Sequence, residues 1–204
     1  TLGAAFTAIN PPSVNTGAAI SIVLSGNTTE TASATLNSSD WASVNISAVA
    51  AVTISGSIVG AIVKLNGADN VTIDGDDPAT AGPRNLTFQV ATSTTLITAV
   101  IRLSSNSTTG ANGADNNTVK NCILIGSRPS GTATNMSYGI NLSNYSTTSL
   151  LTGAYSSINT VIENNEIRRC HRGIFANGIG TFPITGTVIR NNILGSATLA
   201  ENIG

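Results

Sequence analysis

The densest acidic stretch of the chain is DGDDP, at residues 74–78. It carries three carboxylates, on Asp74, Asp76 and Asp77. Carboxylate oxygens in a loop are ligands that Ca²⁺ prefers, so this stretch is a candidate calcium site. A local explanation competes with it, because Asp is common in turns and Pro78 follows directly. We favour the local explanation and expect no bound cofactor, with Ca²⁺ as the alternative.

A second polar cluster is RRCHRG, at residues 168–173, which contains the only histidine of the chain. An arginine side chain presents a planar fork of donors that matches a carboxylate or a sulfate. The cluster is therefore a candidate contact for an anion or a glycan. In the competing interpretation, which we favour, it is a solvated corner whose guanidinium groups lie over neighbouring backbone. Its members are Arg168, Arg169, His171 and Arg172.

Aromatic side chains offer a third candidate site. A ring can stack on a sugar, so the tryptophan and the tyrosines would suit a carbohydrate platform. Rings of this kind also serve as anchors that hold loops against a fold, and the sequence leaves both interpretations open. The residues are Trp41, Tyr138, Tyr145 and Tyr155.

The composition excludes several classes of protein. Hydrophobic residues make up 41% of the chain and charged residues only 9%, against about 25% charged in ordinary soluble domains. The abundant Val, Ile, Thr, Asn and Gly suit strands and turns rather than helices. A net charge of −1 creates no long-range field for nucleic acid. No apolar run approaches the roughly 20 residues of a membrane span. We therefore expect neither nucleic-acid binding nor membrane insertion.

The chain begins at Thr1 without a methionine or a signal peptide, so we expect a processed or partial segment of a longer protein. Asn-X-Ser/Thr sequons are frequent. In a host that glycosylates secreted proteins they would be acceptors, whereas in most bacteria they would carry no meaning. The ten asparagines are Asn27, Asn37, Asn45, Asn70, Asn85, Asn106, Asn116, Asn135, Asn141 and Asn144.

Three short aliphatic phrases recur in a constant order. Copies of the first lie 34 to 41 residues apart: IVLSG (22–26), VKLNG (63–67), IRLSS (101–105), INLSN (140–144) and IFANG (174–178). The second falls between them: VTIDG (71–75), TVKN (118–121), VIEN (161–164) and VIRN (188–191). The third comes next: LTF (86–88), CIL (122–124), NEI (165–167) and NIL (192–194). Three short strands per repeat predict a three-sided coil, stacked on its neighbours, with a variable loop in each turn.

Alternation along these strands assigns their faces, because successive side chains point to opposite sides of a strand. Burial of each inward Ile or Leu stabilises the stack by about 1.5–3 kcal/mol. One inward column is expected to contain Ile73, Val119, Ile162 and Ile189. A second is expected to contain Phe88, Leu124, Ile167 and Leu194.

The position after the first inward column alternates in charge from coil to coil. In-register parallel strands place such residues about 4.8 Å apart, so opposite charges attract and a slip by one coil brings like charges together. Each exposed pair contributes about 0.2–1 kcal/mol. We interpret the column as a register device rather than a chance alternation. This charge ladder contains Asp74, Lys120, Glu163 and Arg190.

The next position is occupied by glycine or asparagine, the residues that adopt a left-handed backbone at low cost. Stacked asparagines also hydrogen-bond along the coil axis through their side-chain amides. We therefore predict a polar corner, which Asn165 and Asn192 extend. This Asn/Gly corner contains Gly75, Asn121, Asn164 and Asn191.

Residues 1–12 are predicted to form a helix that caps the first coil. Pro11 and Pro12 would end the helix. A cap at this place covers a strand edge that would otherwise template aggregation. The coils are then expected over residues 20–204, in a single domain. The apolar face of the helix comprises Leu2, Ala5, Phe6 and Ile9.

The two cysteines, Cys122 and Cys170, would form a disulfide only if their Cα atoms lay within roughly 7 Å of each other. Cys122 follows the Asn/Gly corner directly, whereas Cys170 lies six residues past the equivalent Asn164. The two thiols therefore belong to different columns one coil apart. We predict two separate thiols that fill small spaces in the core.

The runs KLNGADNVTIDG, TTGANGADNNTVKNCILIG and RGIFANG…TGTVIRNNILG resemble the right-handed parallel β-helix repeats of large secreted bacterial surface proteins. The likeness covers nearly the whole chain. It implies an all-β fold, a right-handed three-sided parallel β-helix (β-solenoid) of about five coils with a short N-terminal capping helix. The wider fold family includes pectate lyases, polygalacturonases and phage tailspikes, but a shared fold does not transfer an activity. The Gly-His-Gly and Arg-x-Lys signatures of polygalacturonase-like enzymes do not occur in the chain.

We therefore expect a non-enzymatic extracellular structural protein, secreted or at the cell surface: an adhesin or stalk segment, or a subunit of a self-assembling filament. No cap follows Ile193 and Leu194, so the expected partners are further coils of the same polypeptide or other copies, with glycans in addition. The alternative is a carbohydrate-binding or polysaccharide-lyase-like β-helix that acts on acidic glycans. The loops at 76–84, 104–117 and 126–137 would then form the walls of its groove.

Overall fold

The structure, a computed structural model, contains three β-sheets and one helix arranged around an apolar core. Among the predicted features, Pro11, Pro12, Asp77, Tyr145 and Tyr155 lie outside the residues that it describes, as do parts of the three long loops. The described residues are 1–10, 15–76, 84–91, 98–106, 112–127, 136–143, 157–178, 180, 183–198 and 202–203.

Seventeen strands of the described residues are divided among the three sheets. The first sheet contains β1 (Ala19–Leu24), β4 (Ser43–Ala48), β7 (Val71–Asp74), β10 (Thr118–Lys120), β13 (Val161–Glu163) and β16 (Val188–Arg190). The second contains β2 (Thr28–Glu30), β5 (Val52–Gly56), β8 (Leu86–Val90), β11 (Cys122–Ile125), β14 (Glu166–Arg168) and β17 (Ile193–Leu194). The third contains β3 (Ala34–Asn37), β6 (Gly60–Asn66), β9 (Thr98–Ser104), β12 (Ser137–Ser143) and β15 (Arg172–Ala176).

The chain visits the first, second and third sheets in turn, and every neighbouring strand pair is parallel. Coils one to five each contribute a strand to all three sheets. In the described part of the chain, coil six contributes β16 and β17. The molecule is thus a three-sided parallel β-helix of five to six coils, which confirms the predicted fold class.

One step of the repeat alignment is wrong, because IVLSG (22–26) is not the first copy of the VKLNG phrase. It belongs to the first sheet, where Ile22 pairs with Ile46. The first-coil partner of VKLNG is in β3, where Leu36 pairs with Leu65. Inward alternation is the same on all three sides, so an aliphatic-x-Leu phrase does not reveal which sheet it occupies.

The two predicted inward columns are confirmed. Strand register places the members of each column opposite one another on successive coils. Ile189 and Leu194, the members in coil six, are 51% and 55% exposed. The fully buried members are Ile73, Val119, Ile162, Phe88, Leu124 and Ile167.

The predicted cap is confirmed as helix α1, Leu2–Ile9. Leu2 and Phe6 are fully buried in the core and cover the first coil. Glu30, in β2, is only 4% exposed, and it anchors the start of the helix. Its carboxylate accepts the backbone N–H of Leu2 at 2.8 Å and that of Gly3 at 3.1 Å. A carboxylate at this position satisfies free N–H groups and interacts favourably with the helix dipole.

Candidate functional site

The charge ladder lies on the outer side of the first sheet, and the structure brings its four members together. Lys120 is opposite Asp74 on one side and Glu163 on the other, and Glu163 is also opposite Arg190. The ammonium of Lys120 is 3.0 Å from Asp74 Oδ2, and Arg190 Nε is 2.6 Å from Glu163 Oε2. The side chains are partly exposed, so these pairs make a modest contribution to stability.

The Asn/Gly corner follows the ladder, and three of its four members have the expected backbone. Asn121, Asn164 and Asn191 have φ of 55°, 53° and 55°. Gly75 is not left-handed, so its assignment to the same conformation was wrong. A Cβ on Gly75 would collide with the backbone carbonyl of Asn121. Glycine is required there for close approach of two coils rather than for a positive φ.

Side chains of the corner form a chain of hydrogen bonds parallel to the coil axis. Asn121 Nδ2 donates to Asp74 Oδ1 at 2.7 Å, and Asn164 Nδ2 donates to Asn121 Oδ1 at 2.6 Å. Arg84 then donates to both the side chain and the backbone carbonyl of Asn164, at 3.0 and 2.7 Å. Asn121 and Asn164 are therefore engaged in bonds between coils.

Asn165 and Asn192 form a second, inner row beside the corner. Asn165 is fully buried, and its Oδ1 accepts the backbone N–H of Cys122 at 3.0 Å. Its Nδ2 donates to the carbonyl of Val119 at 2.9 Å. Asn192 repeats the pattern one coil later by donating to the carbonyl of Ile162 at 2.8 Å. These amides satisfy backbone groups where the chain turns between the first and second sheets.

The main residue of the candidate calcium site, Asp74, already takes part in the interactions between coils. Its carboxylate forms an ion pair with Lys120 and accepts hydrogen bonds from the side chain of Asn121 and from the backbone N–H of Asp76, the latter at 3.1 Å. Asp77 lies outside the described residues. Across the part of the chain that the structure describes, no group of three or more His, Cys, Asp or Glu residues is placed to hold a metal ion.

The arginine–histidine cluster is dispersed by the fold. Arg168 pairs with Glu166 at 3.2 Å, and Arg169 has a left-handed φ of 55° at a corner. The Nδ1 of His171 accepts the backbone N–H of Ser137 at 3.2 Å. Arg172 lies over the rings of two aromatic residues instead, as described next. The cluster therefore consists of separate contacts rather than of one convergent anion site.

The aromatic candidates are also separated. Trp41 is buried in the core, and its indole N–H donates to the carbonyl of Asp69 at 3.0 Å. Tyr138 is fully buried on the outer side of the third sheet, 5.5 Å from the ring of Phe175. The guanidinium of Arg172 lies 4.9 Å from the Phe175 ring and 5.8 Å from that of Tyr138. Both Trp41 and Tyr138 therefore act as anchors.

The predicted separate thiols are confirmed, since Cys122 and Cys170 are free and buried. Each thiol lies close to the carbonyl two residues before it, at 3.1 and 3.2 Å. Burial raises the pKa of the Cys170 thiol to about 12 and raises that of Cys122 well above its ordinary value. Neither thiol is a nucleophile at neutral pH.

A second left-handed corner precedes the first sheet, and sequence reasoning missed it. Its four residues have φ between 55° and 66°, and Asn159 Nδ2 donates to Asn116 Oδ1 at 3.0 Å. The signal was an asparagine one or two positions before β7, β10 and β13, with a glycine at the same place before β16. The members are Asn70, Asn116, Asn159 and Gly186.

An acidic pair beside this second corner was also missed as a pair. Asp69 Oδ1 accepts the backbone N–H of Asp115 at 2.7 Å, and Asp115 Oδ1 accepts that of Ile158 at 2.9 Å. Burial, with a smaller contribution from Asp115, raises the pKa of Asp69 to about 6, and burial also raises the pKa of Asp115. Asp69 borders a cavity of about 410 Å³ together with Ser38, Ser39, Asp40 and Asn112. Both carboxylates also bridge neighbouring coils through these hydrogen bonds.

Comparison with protein-family models, curated proteins and solved structures gave no match. No helix in the described ranges is long and apolar enough to span a bilayer. The function is therefore inferred from the geometry of the coils and from the resemblance of their repeats to those of large secreted bacterial surface proteins.

Proposed function

We propose that the chain is a non-enzymatic structural segment of an extracellular bacterial surface protein, in which stacking of coils builds a stalk or a filament. The observation that carries this proposal is the exposed end of the β-helix. We call this end the open face. It consists of four half-exposed apolar residues of coil six: Val188, Ile189, Ile193 and Leu194.

The two ends of the coil stack differ. At the first coil, Leu2 and Phe6 of α1 cover the core. At the open face, Ile189 and Leu194 continue the inward columns of Ile162 and Ile167 but remain about half exposed. The strands β16 and β17 have a hydrogen-bonded neighbour on one side only among the described residues. Apolar side chains beside unpaired strand edges suit the addition of another coil.

The polar residues support the same function. The charge ladder and the asparagine rows join successive coils through hydrogen bonds and ion pairs. Such bonds align a coil with the one before it, and the exposed Arg190 and Asn191 of coil six present the same groups to a coil that follows. A further coil of the same kind is therefore the partner that the open face fits.

The test is self-association of the chain through this face. We expect sedimentation velocity to show association that increases with concentration, and electron microscopy to show end-to-end assemblies. The double variant Ile189→Asp/Leu194→Asp should remain monomeric, because charges at the open face prevent apolar stacking. Val49→Asp is the matched control, since Val49 is also half exposed but lies outside the open face. Monomers at every concentration, or equal association by the double variant, would contradict the proposal.

A further inference from the structure

The first coil carries a buried acid at the end of the core, where a further coil would have to dock. Glu30 shares an inward column of the second sheet with Gly56 and Val90. Its carboxylate accepts the first two N–H groups of α1 at 2.8 and 3.1 Å and the hydroxyl of Thr28 at 3.2 Å. An apolar coil in place of α1 would leave this carboxylate buried without the two N–H donors, which is costly.

The C-terminal end of α1 occupies a strand edge of the same coil. Asn10, the C-cap of α1, donates from Nδ2 to the carbonyl of Thr35 at 3.0 Å. Its Oδ1 accepts the N–H of Asn37 at 2.8 Å. These backbone groups flank Leu36 on β3, the edge strand of the third sheet, where the next parallel strand of a stack would bind. Glu30 and Asn10 thus close the first coil to a further coil on two of its three sides.

The open face has the opposite character. Val188, Ile189, Ile193 and Leu194 are 42%, 51%, 51% and 55% exposed. Its inward positions hold Ile189 and Leu194, and β16 and β17 are edge strands among the described residues. Two copies that meet at their open faces bring apolar side chains and strand edges together and displace nothing. A surface that binds its own counterpart in this way produces a closed pair with two-fold symmetry.

We propose that the open face binds the open face of a second copy, in a two-fold pair whose capped ends point away from each other. Such a pair rests on the proposed function, and it names the partner and limits growth to two copies. A two-fold axis through the middle of β16, perpendicular to the strand and to the coil axis, makes β16 antiparallel to its counterpart. Ile189 then lies opposite Ile189 of the second copy, with Cα atoms about 4.5–5.5 Å apart. Arg190 lies opposite Val188, so the two guanidinium groups do not face each other.

The same axis covers an apolar cavity at the open end. The cavity has a volume of about 570 Å³, lies at the corner between the third and first sheets, and is lined by Ala176, Pro183, Ile184 and Ile189 among others. The axis exchanges the two corners that flank the first sheet. Ile193, at the start of β17, therefore lies over this cavity in the second copy. Filling the cavity adds apolar contact to the pair.

The test is oxidative cross-linking of an Ile189→Cys variant, followed on non-reducing gels. Four half-exposed side chains bury less than the roughly 800 Å² per partner of a standard interface, so the pair is weak and needs to be trapped. Opposed cysteines at the axis satisfy disulfide geometry, and the natural Cys122 and Cys170 are buried. We expect several-fold more covalent dimer than from Val49→Cys, the matched control, which is 50% exposed and lies outside the open face. Sedimentation velocity of the unmodified protein should show monomers and dimers only.

Head-to-tail stacking predicts a different result. It would place Ile189 against Ile22, the residue of coil one in the same inward column. Ile189→Cys would then cross-link only when mixed with Ile22→Cys, and sedimentation would show species larger than dimers. Either result would overturn the two-fold pair and leave the proposed function intact, as would equal cross-linking of Ile189→Cys and Val49→Cys. Monomers of the unmodified protein at every concentration would overturn both.

Discussion

The first and third sheets both bring charged residues of successive coils together, but the charges are opposite on the first sheet and alike on the third. On the first sheet, Lys120 stands between Asp74 and Glu163, so each step along the coil axis joins opposite charges. On the third sheet, the same kind of step joins Lys64 to Arg102. Stacked coils bring equivalent positions together regardless of their charge. The difference teaches that charges of alternating sign align successive coils, whereas charges of like sign meet only where other interactions offset their repulsion.

A like-charge step also occurs at the second corner, between Asp69 and Asp115. There the carboxylates accept backbone N–H groups of the next coil. The hydrogen bonds offset part of the cost of burying two acids together. Internal backbone donors thus accommodate the acidic step between Asp69 and Asp115.

The largest expected effect tests the core that supports both sheets. Ile162→Asn should destabilise the fold by about 3–5 kcal/mol, because it removes a fully buried side chain and buries an amide without a partner. Ile162→Val is the matched control and should cost about 0.5–1.5 kcal/mol. Urea unfolding measures both variants. Similar stability of the two variants would show that burial of Ile162 in the inward column does not stabilise the fold.

The next effect breaks the alternation of the first sheet. Lys120→Glu places an acid between Asp74 and Glu163, and like charges directly opposite are destabilising. We expect a loss of about 1 kcal/mol relative to unmodified protein, with a smaller loss for Lys120→Gln. The difference between the two variants should shrink in 1 M salt, because these side chains are partly exposed. Equal stability of the variants at low salt would refute a role of the ladder in register.

The third prediction removes one of the two like charges on the third sheet. Lys64→Gln should raise the unfolding free energy at pH 7 by up to about 1 kcal/mol, because it removes a like-charge contact. Burial and the charge of Arg102 make the pKa of Lys64 lower in the fold than its ordinary value of 10.5. The unfolded chain therefore binds more protons in the window below 10.5, and the stability of the unmodified protein should rise with pH there. Thermal unfolding between pH 7 and pH 10 measures this, and a destabilising Lys64→Gln would contradict it.

The last prediction concerns Asp69. Burial raises its pKa to about 6 in the fold from an ordinary value of 3.8, so the folded state binds the proton more tightly. Stability should therefore fall as pH rises from about 4 through 6. Asp69→Asn keeps an acceptor for the Asp115 N–H and removes this titration. We expect it to be more stable than the unmodified protein at pH 7 and equal to it near pH 4. Parallel stability curves for the two proteins over this range would disprove the assignment.

Sequence reasoning predicted the features that repeat with a constant offset. The inward columns, the charge ladder and the left-handed Asn121, Asn164 and Asn191 all follow from aligning the phrases VTIDG, TVKN, VIEN and VIRN. It failed where two coils differ in length. The short first coil led to the misassignment of IVLSG, because an inward Leu has the same local pattern on every side of the helix.

The candidate sites were harder to predict than the fold. Gly75 looked like a left-handed residue, but its role depends on the carbonyl of a residue in the next coil. Lys64 and Arg102 were each visible in a repeated phrase, yet nothing local indicated that Arg102 would be almost fully buried. Glu30 does not belong to any of the three recurring phrases, so only its contact with α1 revealed its function as an anchor.

By itself the sequence determined the three-strand repeat, the inward aliphatic columns, the N-terminal capping helix and the alternation of charge, since all of these are properties of spacing. The tertiary structure alone decided that Lys64 and Arg102 are register partners, that Arg102 is almost fully buried and that Glu30 anchors α1. Those properties depend on residues 24 to 46 positions apart along the chain. Their contact is set by the length of each coil, which local patterns do not encode.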